Sequence, residues 1–181
     1  MSAERSNSQL SKGYVQLYTG DGKGKTTAAL GLALRASGRG LRTYIGQFMK
    51  GQQYGELDAV RHHPLITIEQ YGDVRCIHRD EVTPEHIAQA HRGLERAREA
   101  LGSGEYDIVV LDEVSVAIWF GLLTVHEVLV FLDQRPEHVE VVLTGRRAPS
   151  ELIDRADLVT EMREIKHYYQ QGVMARKGIE R

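Results

Sequence analysis

A glycine-rich run with lysines and threonines is the part of this sequence whose residue types and spacing point most directly to chemistry. It reads Thr19-Gly20-Asp21-Gly22-Lys23-Gly24-Lys25-Thr26-Thr27. Glycines let successive backbone N–H groups converge on phosphate oxygens, the last lysine adds a full positive charge, and the following threonine can offer its hydroxyl to Mg²⁺. The alternative, a glycine-rich turn without a ligand, leaves the Gly-Lys-Thr order between a strand and a helix unexplained. The run therefore predicts a site for nucleotide phosphates.

This run departs at one position from the standard phosphate loop. Thr19 stands where that loop has its first glycine, and Gly20 follows one residue later. We therefore expect the phosphates to be held differently than in ordinary nucleotide hydrolases.

An acidic pair, Asp112-Glu113, follows the apolar run 108–111. A buried strand that delivers carboxylates to its C-terminal end supplies the oxygen ligands that Mg²⁺ prefers, opposite the hydroxyl of Thr26. The pair could instead cap the following segment or bind Arg146. Beside a phosphate loop, we interpret it as part of a metal–nucleotide site.

The elements that must position these residues alternate along the chain. Short apolar runs predict six strands, at Tyr14–Tyr18, Thr43–Phe48, Ile66–Tyr71, Tyr106–Leu111, Val139–Thr144 and Leu158–Met162. Helical patterns follow at Thr26–Ser37, from Thr83-Pro84 to Gly102, from a capping box at Thr124 and Glu127 to just before Pro136, and at Pro149–Ala156. This alternation predicts an α/β fold with helices on both faces of a mostly parallel sheet. Ligands in such sheets bind at the carboxyl ends of the strands, where the glycines and charges cluster.

Composition narrows the class of protein. The chain has 181 residues, and its 23 Lys and Arg against 25 Asp and Glu leave a net charge of −2, which disfavours a nucleic-acid partner. Its one cysteine, Cys76, excludes an internal disulfide and favours a reducing cytoplasm. We expect a flexible arm over 1–12, one domain over 13–181, and neither an export signal nor a membrane span. The 8 histidines are scattered and lack zinc-ligand spacing.

The distribution of motifs along the chain resembles the P-loop type of ATP:corrinoid adenosyltransferase. The resemblance runs from Gly13 to Glu180. Its matching segments are the phosphate loop with Ala28-Ala29, Leu34-Arg35-Ala36, Gln47-Phe48-Met49-Lys50-Gly51, Tyr54-Gly55-Glu56, Leu111-Asp112-Glu113, Arg135-Pro136, Leu143-Thr144-Gly145-Arg146, 156–162, Lys166-His167 and 177–180.

This resemblance implies a three-layer P-loop NTPase (RecA-like) fold and a specific reaction. Co(I) of a reduced corrinoid attacks the 5′ carbon of ATP, a cobalt–carbon bond forms, and triphosphate leaves. The family binds ATP in the reverse sense, which suits the altered loop. The cobalt is the nucleophile, so the protein's tasks are orientation and stabilisation of the leaving group.

When the roles of the family's residues are transferred to the matching positions, the resemblance implies that Thr19 to Thr27 hold the triphosphate. Lys25 would be the principal cation. Thr26 and Glu113 would hold Mg²⁺ with Asp112 close by, and Lys25, Thr26 and Glu113 would form the catalytic set. Arg35 and Arg146 would be further contacts on the ATP side.

The resemblance also implies where the corrinoid lies and what partners the protein has. It places the corrinoid at Lys50-Gly51 and at the segment 72–78, which contains no Phe or Trp, whereas some relatives carry bulky aromatic residues there to displace the lower axial ligand. Val74, Ile77 or a partner subunit would substitute for them. An electron-donating flavoprotein and a homodimer complete the expectation.

Three other functions are distinguishable by experiment. A plain ATPase or kinase would release ADP, and a corrinoid carrier gated by ATP would bind both ligands without turnover. A nucleic-acid motor is disfavoured by the charge balance and the small size.

Overall fold

A computed structural model describes residues 10–75 and 77–180 of the chain. Its centre is a sheet of six strands: β1 (Val15–Thr19), β2 (Thr43–Phe48), β3 (Ile66–Tyr71), β4 (Ile108–Asp112), β5 (Glu140–Thr144) and β6 (Leu158–Glu161). Every adjacent pair runs parallel, in the order β3-β2-β4-β5-β1-β6. The sheet of the described residues is therefore wholly parallel, where the sequence predicted a mostly parallel one.

Helices cover both faces of the sheet. They are α1 (Lys25–Ser37), α2 (Gly55–Val60), α3 (Pro84–Gly102), α4 (Val114–Trp119), α5 (Val125–Asp133) and α6 (Ser150–Arg155). Short 3-10 turns follow at Arg79–Glu81 and Tyr168–Gln171. No helix among residues 10–75 and 77–180 is long and apolar enough to cross a membrane.

The alternation of side chains along the buried strands creates two apolar cores. In β4, Val109 and Leu111 pack on the side of α3 to α6, while Ile108 and Val110 face α1 and α2. All five residues of β4 are buried, as expected for a strand that is covered on both faces. The chain therefore forms the three-layer α/β arrangement that the sequence predicted.

Local signals explain where the long helices begin. Thr83 precedes α3, with Pro84 in its first turn, and the predicted capping box of Thr124 and Glu127 is present at the start of α5. The predicted strands are confirmed to within two residues at each end. The short helices α2 and α4 were not predicted.

The parallel arrangement brings the carboxyl ends of β1, β2, β4 and β5 to one edge of the sheet. In the register of β2 and β4, Gln47 lies opposite Asp112, and Tyr18, one residue before the end of β1, is paired with Thr144 at the end of β5. Polar residues at four strand ends therefore converge, as the sequence analysis predicted. The predicted flexibility of the arm 1–12 concerns mostly residues 1–9, which lie outside the described residues, as does Cys76.

Candidate functional site

A cavity of about 430 Å³ opens at this edge, beside the phosphate loop. Its volume is within the range of small-molecule sites. Five segments line it: 22–27 with Leu30; Lys50 with Tyr54, Gly55 and Glu56; Glu113; Arg146; and His167 with residues 178–180.

Contacts with the end of β6 shape the phosphate loop. The Gly22 N–H donates to the Met162 carbonyl oxygen at 2.7 Å. Gly20 has a φ of +89°, and a Cβ there would lie 2.5 Å from the same oxygen. Glycine is therefore needed in this loop for its close approach to β6 as well as for the approach of phosphate.

Lys25 is held inside the loop. Its side chain is buried, and Nζ donates to the carbonyl oxygens of Gly20 at 2.6 Å and Gly22 at 2.7 Å. Burial lowers the pKa of this ammonium. The negative charge of Glu113 opposes this decrease in pKa, and the positive charge of Arg146 adds to it. The loop thus keeps a desolvated cation at the place where phosphate would bind.

Asp112 is the centre of the polar network at the strand ends. It is fully buried and accepts hydrogen bonds from four side chains. The donors are Thr26 Oγ1 at 2.8 Å, Thr144 Oγ1 at 2.7 Å, Lys50 Nζ at 2.9 Å and Gln47 Nε2 at 3.2 Å. A buried carboxylate is stable only when it is paired and hydrogen-bonded, and these contacts meet that requirement.

Glu113 turns away from its neighbour toward the cavity. Its φ of +63° is uncommon for a residue with a side chain, and its N–H donates to Thr144 Oγ1 at 2.8 Å. Burial, and after it the charge of Asp112, raises the pKa of the Glu113 carboxyl. Three nearby cations offset part of this rise, namely Lys50, Lys25 and Arg146.

The C-terminal segment forms the outer wall of the cavity. The Lys23 Nζ donates to the Ile179 carbonyl oxygen at 3.1 Å, which joins this segment to the phosphate loop. Glu180 accepts hydrogen bonds from Tyr168 and from the Arg176 guanidinium, and it also lines the cavity. The sequence analysis recorded residues 177–180 only as part of the resemblance and assigned them no role in the site.

Most of the predicted ATP-site residues meet at this cavity. Those that line it are Gly22, Lys23, Gly24, Lys25, Thr26, Thr27, Glu113 and Arg146, and Asp112 contacts Thr26 directly.

Besides Asp112, four predicted residues do not line the cavity. The carbonyl oxygen of Thr19 accepts a hydrogen bond from Met162, Gly20 supports Lys25 through its carbonyl, and Asp21 is exposed. Arg35 is exposed in the last turn of α1, roughly 15 Å along the helix from Lys25 at about 1.5 Å per residue. The structure thus places Arg35 away from the cavity, and its contact on the ATP side stays a prediction.

Lys50 also lines the phosphate-loop cavity, a position that the sequence analysis did not assign to it. Its ammonium contacts Asp112, and the place at the corrinoid that the resemblance implied stays a prediction. Burial would lower the pKa of Lys50, but the charge of Asp112 and its hydrogen bond outweigh burial and hold this pKa above its usual range. The sequence signal for this position was its place directly after a strand that ends at the same edge.

The oxygen donors in the cavity fit Mg²⁺. Within residues 10–75 and 77–180, no group of three or more His, Cys, Asp and Glu side chains could hold a metal. Mg²⁺ does not need such a group, because it retains waters and binds one or two carboxylates together with substrate phosphates. Thr26 and Asp112 lie in direct contact, and the ammonium of Lys50 between them marks a position that accommodates a cation.

Together, the fold and this site define a P-loop nucleotide-binding protein of the α/β class. A solved structure with a similar fold is the flagellar accessory protein FlaH from Methanocaldococcus jannaschii, with a TM-score of 0.57 and 12% sequence identity over 84% of this chain and 72% of that one. At this identity the likeness concerns the fold alone.

Sequence comparison identifies the family within this class. The family model described as ATP:corrinoid adenosyltransferase BtuR/CobO/CobP matches residues 11–181, and the chain belongs to this family. A corrinoid adenosyltransferase of Sinorhizobium sp is 35% identical over 93% of this chain and 80% of its own length. Corrinoid adenosyltransferase CobA of Salmonella typhimurium is 34% identical over 98% of this chain and 90% of its own.

Proposed function

We propose that this protein transfers the 5′-deoxyadenosyl group of Mg–ATP to the Co(I) centre of a reduced corrinoid and releases triphosphate. Membership of the family supports the reaction. The observation that carries the proposal is the arrangement of Lys25, Thr26 and Asp112, in which a buried cation and a hydroxyl–carboxylate pair border a cavity large enough for a nucleotide.

The proposed step is a displacement at the 5′ carbon. The electron pair of Co(I) forms the cobalt–carbon bond, the C5′–O5′ bond breaks, and its electron pair leaves on triphosphate. Lys25 and Arg146 are among the cavity's cations that stabilise this charge, and backbone N–H groups of the loop add to them. Mg²⁺, when bound, supplies further positive charge on the phosphate oxygens, and Thr26, Asp112 and Glu113 would hold it.

The same proposal includes the corrinoid-binding site, the partner proteins and the cellular location of this protein. We place the corrinoid near the segment 72–78, where the side chain of Val74 is exposed. An electron-donating flavoprotein in the cytoplasm would supply the reduced corrinoid. A homodimer is supported by Leu158 and Val159, two apolar residues that are exposed on the edge strand β6. We also propose that residues 1–12 form a flexible arm and residues 13–181 a single domain.

The phosphorus product of the reaction tests this function. Mg–ATP is incubated with the protein, with and without chemically reduced Co(I) corrinoid, and the products are separated by anion exchange and identified by phosphorus NMR. We expect triphosphate in the presence of Co(I) corrinoid and no product without it. ADP in both samples would identify a hydrolase, and binding of both ligands without turnover would identify a carrier.

Two variants connect this reaction to the site. Lys25→Ala is expected to abolish triphosphate release, whereas the control Lys12→Ala is expected to retain it, because Lys12 lies outside the cavity and stacks on Tyr14. Glu113→Gln is expected to raise the Mg²⁺ concentration needed for half-maximal rate. An unchanged Mg²⁺ titration would remove Glu113 from the metal site.

A further inference from the structure

The ammonium of Lys50 lies among the oxygens expected to hold Mg²⁺. Its Nζ is 2.9 Å from Asp112 Oδ2, 3.3 Å from Thr26 Oγ1 and 3.8 Å from Glu56 Oε1. The face of the Tyr54 ring lies 5.4 Å from the same nitrogen. The ammonium group of Lys50 therefore occupies the position that a bound cation would take.

The backbone that carries Lys50 is held in place by close packing. The preceding residue, Met49, has a φ of +60°. A Cβ at Gly51 would lie 2.3 Å from the Gly72 carbonyl oxygen, and one at Gly72 would lie 2.4 Å from the backbone nitrogen of Lys50. Since both chain segments meet through backbone atoms, Lys50 can change its contacts only by rotation of its flexible side chain.

Electrostatics make the ammonium and the metal mutually exclusive at Asp112. This carboxylate is fully buried, so it requires a positive partner, and Lys50 meets that requirement in the structure. A divalent cation bound to Thr26 and Asp112 would repel an ammonium at 2.9 Å from the same carboxylate. Lys50 must therefore leave Asp112 when Mg²⁺ binds, and it then needs another anion.

The triphosphate of ATP is the anion that nucleotide binding would add to this cavity, beside the carboxylates of Glu56 and Glu113 that already line it. Lys50 lines the same cavity as the phosphate-loop residues Gly22 to Thr27, so its side chain can turn from Asp112 to a phosphate oxygen without leaving the site. Without nucleotide, the move would exchange the contact with Asp112 at 2.9 Å for the longer contact with Glu56 at 3.8 Å, and the partly buried ammonium would be less well paired, which is unfavourable. Binding of the nucleotide thus removes the obstacle to binding of the metal.

We propose that Lys50 is an internal counter-ion that excludes Mg²⁺ from Asp112 until the triphosphate arrives, and so makes binding of metal and of nucleotide interdependent. Lys50 is in this sense a positioning residue. The inference rests on the proposed function only in assigning Mg–ATP to the cavity. It predicts low affinity for the divalent cation alone and higher affinity when ATP is present.

Binding of Mn²⁺ in the absence of corrinoid tests this role directly. Mn²⁺ replaces Mg²⁺ as a paramagnetic probe, and free Mn²⁺ is measured by electron paramagnetic resonance. In Lys50→Met without nucleotide, we expect Mn²⁺ to bind about tenfold more tightly than in the wild type, within the usual range of coupling between two sites. ATP added without a divalent cation is expected to bind this variant more weakly, because a phosphate partner is lost.

A second lysine of the cavity provides the matched control. Lys23 Nζ contacts the Ile179 carbonyl oxygen and not Asp112, so Lys23→Met removes the same charge without freeing the metal ligand. We expect its Mn²⁺ affinity to stay close to that of the wild type. Adding Asp112→Asn to Lys50→Met is expected to abolish the gain, which would locate the bound ion at Asp112.

Several outcomes would overturn the proposal. They are an unchanged or weaker Mn²⁺ affinity in a folded Lys50→Met protein, an equal gain in Lys23→Met, and a gain that survives Asp112→Asn. Circular dichroism checks the fold, and Lys50→Gln replaces Lys50→Met if the latter does not fold. Because no corrinoid and no turnover enter this assay, ADP in the product assay would refute the proposed function and leave this result intact.

Discussion

The hydroxyl of Thr144 connects the two acidic residues of the site, and its removal has a calculable cost. Oγ1 donates to Asp112 Oδ1 at 2.7 Å and accepts the N–H of Glu113 at 2.8 Å. Thr144→Val keeps the shape and the branched Cβ of the side chain but removes both hydrogen bonds. We therefore expect the variant to fold with lower stability, and we expect the backbone of Glu113 to be less rigidly positioned.

The magnitude follows from the two lost interactions. A hydrogen bond to a charged group contributes about 1.5–3 kcal/mol, and a buried N–H left without an acceptor costs about 1–3 kcal/mol. Asp112 retains donors from Thr26, Gln47 and Lys50, so we take a combined loss of about 3 kcal/mol. For a chain of this size, such a loss lowers the melting temperature by roughly 6–12 °C.

Urea and thermal unfolding of the ligand-free protein measure this loss. Thr144→Ser retains a hydroxyl and is expected to lie close to the wild type. Thr43→Val is the matched control, because Thr43 is equally buried and its Oγ1 has no hydrogen-bond partner among the described residues. We expect this variant to be about as stable as the wild type or more stable, because an apolar group replaces a buried hydroxyl that has no partner. A loss in Thr144→Val that is no larger than that in Thr43→Val would refute the reasoning.

Two further predictions concern the loop and the edge of the sheet. Gly22→Ala places a Cβ 2.6 Å from the Met162 carbonyl oxygen, so calorimetry should detect weaker ATP binding, whereas Gly31→Ala, with open space around its Cβ, should retain the affinity. Burial would raise the pKa of Glu69, but hydrogen bonds from two tyrosine hydroxyls outweigh it and hold this pKa below its usual range. This carboxylate therefore stabilises the fold at neutral pH, and the contribution is lost as the pH falls through its folded pKa. Urea unfolding should show Glu69→Gln less stable than the wild type at pH 7, with the gap narrowing as the pH falls below the ordinary glutamate range of about 4.3; a gap that does not change with pH would contradict the assignment.

The regular elements could be predicted because their signals are local. The apolar run of β4, the spacing along α3 and the capping box of α5 each act within a few residues of the chain. The helices α2 and α4 each span 6 residues and begin after Tyr54 and Glu113, which are not typical capping residues, whereas the equally short α6 was predicted and begins directly after Pro149. The start of α4 also depends on the positive φ of Glu113, which long-range contacts with Thr144 support.

Sequence patterns were sufficient to predict that the phosphate loop and the acidic strand end meet, because the carboxyl ends of parallel strands share one edge. The contacts between individual groups at this edge became known from the three-dimensional structure. It joined Lys50 and Thr144 to Asp112, added the C-terminal wall, and left Arg35 at the far end of α1. These contacts depend on the register between strands that are distant in the chain and on the direction of each side chain. Neither is encoded in the spacing of residues along one segment.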